Sequence, residues 1–566
     1  MKFKFSPLRF SYKKSLLILF IGCLTLFTGC KKEHNYSHFP KDSVLKGELA
    51  DGRQIYLIRE NDSTDMKGTG FIYDGKAVAK TFSFNATDSG IIFFEKGEYT
   101  WQANSSVKQG KKLLNIFSLN IPEYDINGMN VSFSIDKVIE KKFLCEEKRY
   151  SDVLFHEFES SKNLEYGKAM GHYTSQRTDT IPHGDIEALR KLIMKDMAVS
   201  AKKEKELPLL LDFYQPATDT LNKRPAFLFI HGGAFYFGDK ENALQERITK
   251  NLVEKGFVLF SMNYRLGDGL LGFGKTERTI FRGVQDARAA LRYIIEHSKQ
   301  FGIDPHQIYI GGSSAGAIIS LATAFMDEDE IYHSANNKPL RKKMGNLDCV
   351  GNDYKHDCHI AGVVSLWGAV SDLSIIDKRD SDIPVLLIHG TSDQIVPDTA
   401  GLPFQARIEN KTYNRMATNW QLYGSYSIYN HMKKLGMQVT YVPLFGYGHE
   451  PQVSHDGTYN SNMDIINEEM DKFLYQHVSE HYFPYTIIGN DHINKQDNAP
   501  FYSIQDTYSN NIQWEVDGGF IIDKQNNGIK VVWYDTTTNG TVKFCTTDEN
   551  NITWQKEMKC LVIKGN

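Results

Sequence analysis

Four short segments carry residues whose types and spacing suit nucleophilic chemistry. Gly312-Ser313-Ser314-Ala315-Gly316 follows an apolar run at 307–310 and precedes a second at 317–324. A G-x-S-x-G pentapeptide between strand and helix forms a turn so tight that its flanks must be small. It presents one serine at a helix N-terminus, where backbone N–H groups favour negative charge. The frame selects Ser314; Ser313 would need Gly311 and Ala315 as flanks, an inferior set. A serine hydroxyl is a weak nucleophile until a base takes its proton. Downstream, Asp393 follows the buried-type run 383–388 and His389-Gly390-Thr391-Ser392, where it can act as the acid. His449, in Gly446-Tyr447-Gly448-His449, follows the apolar segment 440–444 and is the base, with Gly448 giving the loop freedom to aim it. The rivals are Asp372, one strand too early, His389, assigned to the strand end, and His455, read as a surface residue. The fourth segment is His231-Gly232-Gly233-Ala234-Phe235. Its glycines let the N–H groups of Gly232 and Gly233 approach a developing oxyanion, joined by that of Ala315, while His231 braces the loop.

These segments need a scaffold. Residues 226–230 and 258–262 are continuous apolar runs, as expected of strands covered on both faces. A helical segment lies between them at 241–255, and 282–297 places Val284, Ala287, Leu291 and Ile294 on one face. Further strands are expected at 307–310, 362–366, 384–389 and 438–443. Alternating strands and helices predict an α/β fold with a largely parallel sheet. Residues 42–160 read instead as a small N-terminal β domain, with the hairpin signal Asp74-Gly75 and no chemical motif. Residues 161–207 read as a polar connector with one helix at 185–197, so the catalytic domain is expected at 165–485. Residues 500–566 are strand-like and rich in Thr, Asn, Trp and Tyr, a third, β domain. Two insertions are candidates for shaping specificity: 326–359, and 398–425 with Phe404, Tyr413, Trp420 and Tyr423, aromatics that either roof a substrate pocket or pack the insertion itself.

Together these motifs resemble the carboxylesterase and feruloyl-esterase-like branches of the α/β-hydrolases. The likeness spans about residues 205–480 and includes Asn263-Tyr264-Arg265-Leu266-Gly267 and Phe301-Gly302-Ile303-Asp304-Pro305. Ser, acid and His come in the order that fold uses. The resemblance implies the α/β-hydrolase fold and ester hydrolysis through an acyl-serine, with no cofactor and no metal. Two departures are Ala234 where many relatives carry a third Gly, and an elbow unlike the Gly-Asp-Ser-Ala-Gly-Gly of hormone-sensitive-lipase relatives. Exported esterases of this kind often deacylate plant polysaccharide, which implies acetyl or feruloyl esters as substrates. A serine exopeptidase is the alternative enzyme, and a surface binding protein on a hydrolase scaffold the non-catalytic one. Trp514-Glu515-Val516-Asp517-Gly518-Gly519 with 529–533 resembles a PKD-like immunoglobulin-type module, implying a C-terminal β-sandwich.

The N-terminus carries Lys2, Lys4, Arg9, Lys13 and Lys14, then an apolar run at 15–27 that is short for a membrane span. It ends in Phe27-Thr28-Gly29-Cys30, which resembles a bacterial lipobox with Cys30 as the lipidated residue, although Leu is more usual at Phe27. Residues 1–30 are thus expected to be a lipoprotein signal peptide. Export to a periplasmic or cell-surface membrane face follows, and an ordinary signal peptide would also export the chain. Disulfides are then permissible, with Cys349–Cys358 and Cys545–Cys560 as the natural pairs and Cys145 left over. The formal net charge of −4 over 566 residues gives no basic excess for nucleic acid, and no cysteine or histidine spacing suits zinc.

Overall fold

The computed structural model describes residues 43–563, apart from short intervals and the segments 139–147, 177–203 and 333–343. The leader with Cys30, the helix expected at 185–197, Cys145 and Cys349 lie outside the described residues. The chain divides into two compact units, Met1–Glu140 and Lys141–Asn566.

The first unit is a closed barrel of eight consecutive strands: β1 (Ser43–Glu48), β2 (Gln54–Arg59), β3 (Met66–Tyr73), β4 (Val78–Ala86), β5 (Ile91–Phe94), β6 (Thr100–Lys108), β7 (Lys111–Ile121) and β8 (Ile126–Val138). Each pairs antiparallel with the next, and β1 pairs with β8. Val44, Ile55, Leu57 and Phe71 are buried, and Tyr56 stacks on Phe71 at 4.9 Å. The expected domain end at 160 is corrected, because the barrel closes at Val138.

The second unit is built on an eight-stranded sheet. Its strands are β9 (Phe158–Gly171), β10 (Lys205–Pro216), β11 (Arg224–Ile230), β12 (Val258–Met262), β13 (Ile303–Ser313), β14 (Gly362–Leu366), β16 (Val385–Gly390) and β21 (Val439–Leu444). The spatial order is β21-β16-β14-β13-β11-β12-β10-β9. The first six run parallel, and β10 and β9 extend the sheet antiparallel. Residues 161–207 are therefore no simple connector: Phe158–Gly171 is an edge strand whose first half is exposed. Every residue of β11, β12, β14 and β16 is buried. Helices cover both faces, which is why those strands read as unbroken apolar runs. On one face lie α2 (Phe273–Glu296), α3 (Ala315–Phe325) and α4 (Ser425–Leu435), with Val284, Leu291, Ile318 and Ile428 in the core. On the other lie α1 (Ala243–Val253) and α5 (Asn462–Tyr482). Asn242 caps α1 by accepting from the Gln245 N–H at 3.0 Å. The Arg265 guanidinium after β12 meets Asp286 of α2 at 2.7 Å in a buried pair. This is an α/β-hydrolase architecture. Among the described residues no helix is long and apolar enough to cross a membrane.

The insertion after β16 forms small sheets, one of them together with a short strand from the loop after β14. β15 (Ala369–Val370) and β17 (Ala400–Gly401) flank β20 (Leu422–Gly424), while β18 (Gln405–Ile408) pairs with β19 (Lys411–Asn414). At the C-terminus, β22 (His492–Asn494), β24 (Gln513–Asp517), β27 (Asn539–Thr547) and β28 (Thr553–Ile563) form one sheet. A second holds β23 (Phe501–Ser503), β25 (Gly519–Gln525) and β26 (Gly528–Trp533). These strands begin at His492, before the expected boundary at 500. Phe544, Trp554 and Val531 share one apolar core with α1 and α5, and Phe483 stacks on Trp554 at 6.0 Å.

Both expected disulfides are corrected. Cys358 and Cys560 are free thiols, whereas Cys545 is disulfide-bonded. Register explains the second case. Cys545 opposes Gln555 and Cys560 opposes Gly540, so the two cysteines are offset five positions along β27. At about 3.4 Å per residue that is roughly 17 Å, far beyond disulfide reach. Cys358 donates to the Arg288 carbonyl at 3.6 Å, and burial pushes its thiol up to about 11.

Candidate active site

The site forms at the C-terminal ends of β11, β13, β16 and β21. Ser314 links β13 to α3 with φ 53° and ψ −119°, a region an L-residue rarely enters. Its N–H is held by the Leu366 carbonyl at 2.9 Å. The turn fits only because its flanks are glycine. A Cβ on Gly312 would stand 2.2 Å from the Ile230 carbonyl oxygen, and one on Gly316 2.0 Å from the same atom.

Asp393 sits in the loop after β16 with its side chain fully buried. Its Oδ1 accepts from the Ile395 and Val396 N–H groups at 2.8 and 3.0 Å. Its Oδ2 lies 2.7 Å from His449 Nδ1. Burial alone would raise this carboxyl, but the His449 and His389 imidazoles outweigh it and hold Asp393 well below the usual carboxylate range. An ionised Oδ2 can only accept, so His449 Nδ1 carries the proton and its Nε2 is left as an acceptor. That Nε2 lies 2.9 Å from Ser314 Oγ. The His449 loop crosses directly over Gly390, where a Cβ would stand 2.3 Å from the Gly448 carbonyl oxygen.

The structure brings Ser314, Asp393 and His449 into one hydrogen-bonded chain and leaves their rivals outside it. Asp372 caps a short turn by accepting from Ser374 N–H, and His455 is exposed. His389 is another matter. It is fully buried, with Nε2 3.2 Å from Asp393 Oδ2, a contact the sequence reading did not foresee. Its signal was the separation of four residues from Asp393 across a tight strand-end turn.

The loop after β11 runs along the other side of the serine. Gly233, at φ +114°, Ala234 and Phe235 all adopt left-handed backbone, and a Cβ on Gly233 would fall 1.9 Å from the Phe237 carbonyl oxygen. Gly232 packs against the elbow: a Cβ there would meet Ser313 O at 3.0 Å and Ser314 Cβ at 3.4 Å. The N–H groups of Gly232, Gly233 and Ala234 donate to no backbone carbonyl among the described residues. His231 donates from Nδ1 to the Gly232 carbonyl at 2.7 Å and stacks on Tyr264 at 4.6 Å. In a trans peptide that bond points the Gly233 N–H the opposite way. Burial lowers His231 to about 4.

Beside Ser314 lies a small cavity of about 20 Å³ lined by Phe235, Ile318, Val396, Phe404, Trp420 and Leu422. Phe404 and Trp420 thus face the site, as pocket residues of the second insertion. Tyr423 pairs in β20 instead, and the Tyr413 side chain lies outside the described residues. The described part of the 326–359 insertion bonds to α2 and β9, through Asp348 with Arg288 and Asn352 with the Tyr166 carbonyl. Among the described residues no cluster of His, Cys, Asp and Glu is arranged to hold a metal ion.

Residues 211–382 match the BD-FAE family model. Lipase 1 of Geotrichum candidum is 36% identical over 129 residues, 22% of this chain and 23% of the relative. Juvenile hormone esterase of Heliothis virescens is 39% identical over 95 residues, 17% of this chain and 16% of the relative. The chain spans less than a quarter of the length of these curated relatives. Among solved structures, a truncated form of a carbohydrate esterase from gut microbiota is 18% identical, covering 59% of this chain and 100% of its own, with a TM-score of 0.36. Thermogutta terrifontis esterase 2 phosphonylated by cyclosarin is 18% identical, covering 48% of this chain and 89% of its own, with a TM-score of 0.34.

Proposed function

From a chain that carries a carboxylesterase-type α/β-hydrolase domain, we propose a serine esterase that hydrolyses carboxylic esters of short acyl groups through an acyl-serine intermediate. The observation that carries the reading is the continuous chain Ser314 Oγ–His449–Asp393 at the edge of an apolar cavity. Ser314 Oγ attacks the ester carbonyl as His449 Nε2 takes its proton. The same imidazolium then protonates the departing alcohol, and the cycle repeats with water. Asp393 holds the imidazole in the tautomer that can accept, and stabilises its cation. The oxyanion is received by the N–H groups of Ala315, Gly233 and Gly232. The bond from His231 to the Gly232 carbonyl supports that role, because it fixes the peptide that carries the Gly233 N–H.

The cavity favours a small acyl group. Its free volume of about 20 Å³ holds roughly one water. An acetyl methyl fits that space, which Trp420 and Phe404 wall. Acetyl esters are therefore the substrate class of this reading, with polysaccharide as the alcohol that the sequence resemblance suggests. Export through the leader and a lipid anchor at Cys30 belong to it, as does a PKD-like role for the C-terminal sheets, supported by their seven strands.

The test is hydrolysis of p-nitrophenyl acetate, butyrate and decanoate, methyl ferulate and acetylated xylan by wild type and Ser314→Ala. Acetate release that vanishes in the variant is expected. A folded wild type that cleaves none of these esters overturns the reading.

A further inference from the structure

Asp393 Oδ2 is shared by two histidines, and each histidine bears a serine. The outer arm runs through His449 to Ser314. The inner arm runs through His389, whose Nε2 is 3.2 Å from Oδ2 and whose Nδ1 is 2.8 Å from Ser425 Oγ at the start of α4. The inner arm is wholly enclosed, since His389 and Ser425 are both at 0% exposure. Both ring nitrogens lie within hydrogen-bond distance of protein atoms, so these partners decide the tautomer. Nε2 faces two acceptors, Asp393 Oδ2 and the Val396 carbonyl oxygen at 3.0 Å, and must carry a proton to satisfy either. The other charged group facing the ring is Asp398. Its Oδ1 is 3.8 Å from Nδ1, outside hydrogen-bond range, and its Oδ2 accepts from the Tyr441 hydroxyl at 2.6 Å. Ser425 can then donate to a bare Nδ1, leaving a neutral ring with every polar atom paired.

The geometry points to His389 as a positioning residue for the triad: its Nε2–H donates to the catalytic carboxylate, fixes which lone pair of Oδ2 faces His449, and tempers that oxygen's basicity. This rests on the proposed role of Asp393 as the triad acid. Two consequences separate it from simple core filling. Without the donor, Oδ2 becomes more basic and stabilises the His449 cation more strongly, so the imidazolium persists to higher pH. Without the donor, Oδ2 is also free to swing, and the His449 orientation it controls is lost.

The test is the pH profile of kcat/KM for wild type, His389→Phe and His389→Gln, each checked for folding by circular dichroism and Tm. His389→Phe is expected to move the acid limb to higher pH by about half a pH unit or more. It should also lower kcat about tenfold, the scale of one hydrogen bond to a charged group. His389→Gln, whose amide can donate from near the Nε2 position, should keep the acid limb within about a quarter of a pH unit of wild type. A folded His389→Phe with an unmoved acid limb overturns the proposal, and so does a His389→Gln shifted as far as His389→Phe. If the variants do not fold, ¹⁵N-histidine NMR of the wild-type chain decides. A protonated Nε2 with a bare Nδ1 on His389 is expected, and a protonated Nδ1 with a bare Nε2 refutes it. Loss of all hydrolysis in wild type would instead count against the esterase reading.

Discussion

The indole Nε1 of Trp420 donates to Ser371 Oγ at 2.9 Å, so the ring that walls the cavity beside Ser314 is pinned from behind. Trp420 is 2% exposed, and Phe235 meets it edge-on at 6.4 Å. Trp420→Ala should open the cavity and shift the butyrate-to-acetate ratio of kcat/KM upward by about tenfold or more. Ser371→Ala, which frees the ring without removing it, should shift the ratio in the same direction but less. An unchanged acyl profile in Trp420→Ala would show that the acyl chain lies elsewhere.

Asp393→Asn keeps the shape of the acid and removes its charge. The amide can present an N–H to His449 and favour the wrong imidazole tautomer. The expected loss in kcat is on the order of 10⁴-fold with little change in KM. A loss under tenfold would remove Asp393 from the mechanism.

Gly316 tests the elbow itself. Its added Cβ would meet the Ile230 carbonyl oxygen at 2.0 Å and the His231 carbonyl oxygen at 2.6 Å, and neither backbone atom can give way cheaply. Gly316→Ala should cost about 3 kcal/mol or more in stability, or displace the oxyanion loop and abolish activity. A variant with wild-type Tm and wild-type kcat would contradict the packing.

Acid should destabilise the fold in two stages. His231 is held near 4 by burial, against an ordinary value near 6.5. Below about pH 6.5 the unfolded chain takes up a proton that the folded imidazole refuses. Stability therefore falls as pH drops to about 4, by ~3 kcal/mol from this group alone. Burial lowers His359 and His477 as well, and they act in the same direction. Asp393 adds the second stage. Its depressed value makes its contribution complete above its ordinary range, lost only as pH falls through the folded value, below about pH 4. Urea midpoints measured from pH 7.5 to 3.5 should decline from about 6.5. A flat profile down to pH 5 would mean that His231 is not buried as a neutral ring.

The grouping of Ser314, Asp393 and His449 was legible in the sequence because its signals are local. Ser314 announces itself by two glycines within two residues, and Asp393 and His449 each follow an apolar run that ends in a polar loop. What escaped depends on partners far along the chain. Phe158–Gly171 has no apolar alternation in its exposed half, so only its pairing with β10 makes it a strand of the main sheet. Cys545 and Cys560 lie on neighbouring strands as expected, and only the register shows that they stand opposite other residues. His389 gives no hint in one dimension of its bond to Ser425, 36 residues later. The C-terminal strands read as a separate module because the apolar residues they share with α1 and α5 are distant in sequence.

The closure of the N-terminal barrel has a consequence for life in a crowd. Val44 to Glu48 pair with β2 on one side, and Ser43 to Gly47 with β8 on the other. A ring of strands offers no terminal row of unsatisfied amides onto which another chain could add. Many copies of such a barrel can stand side by side at high density, colliding freely, without one templating the next into an intermolecular ribbon.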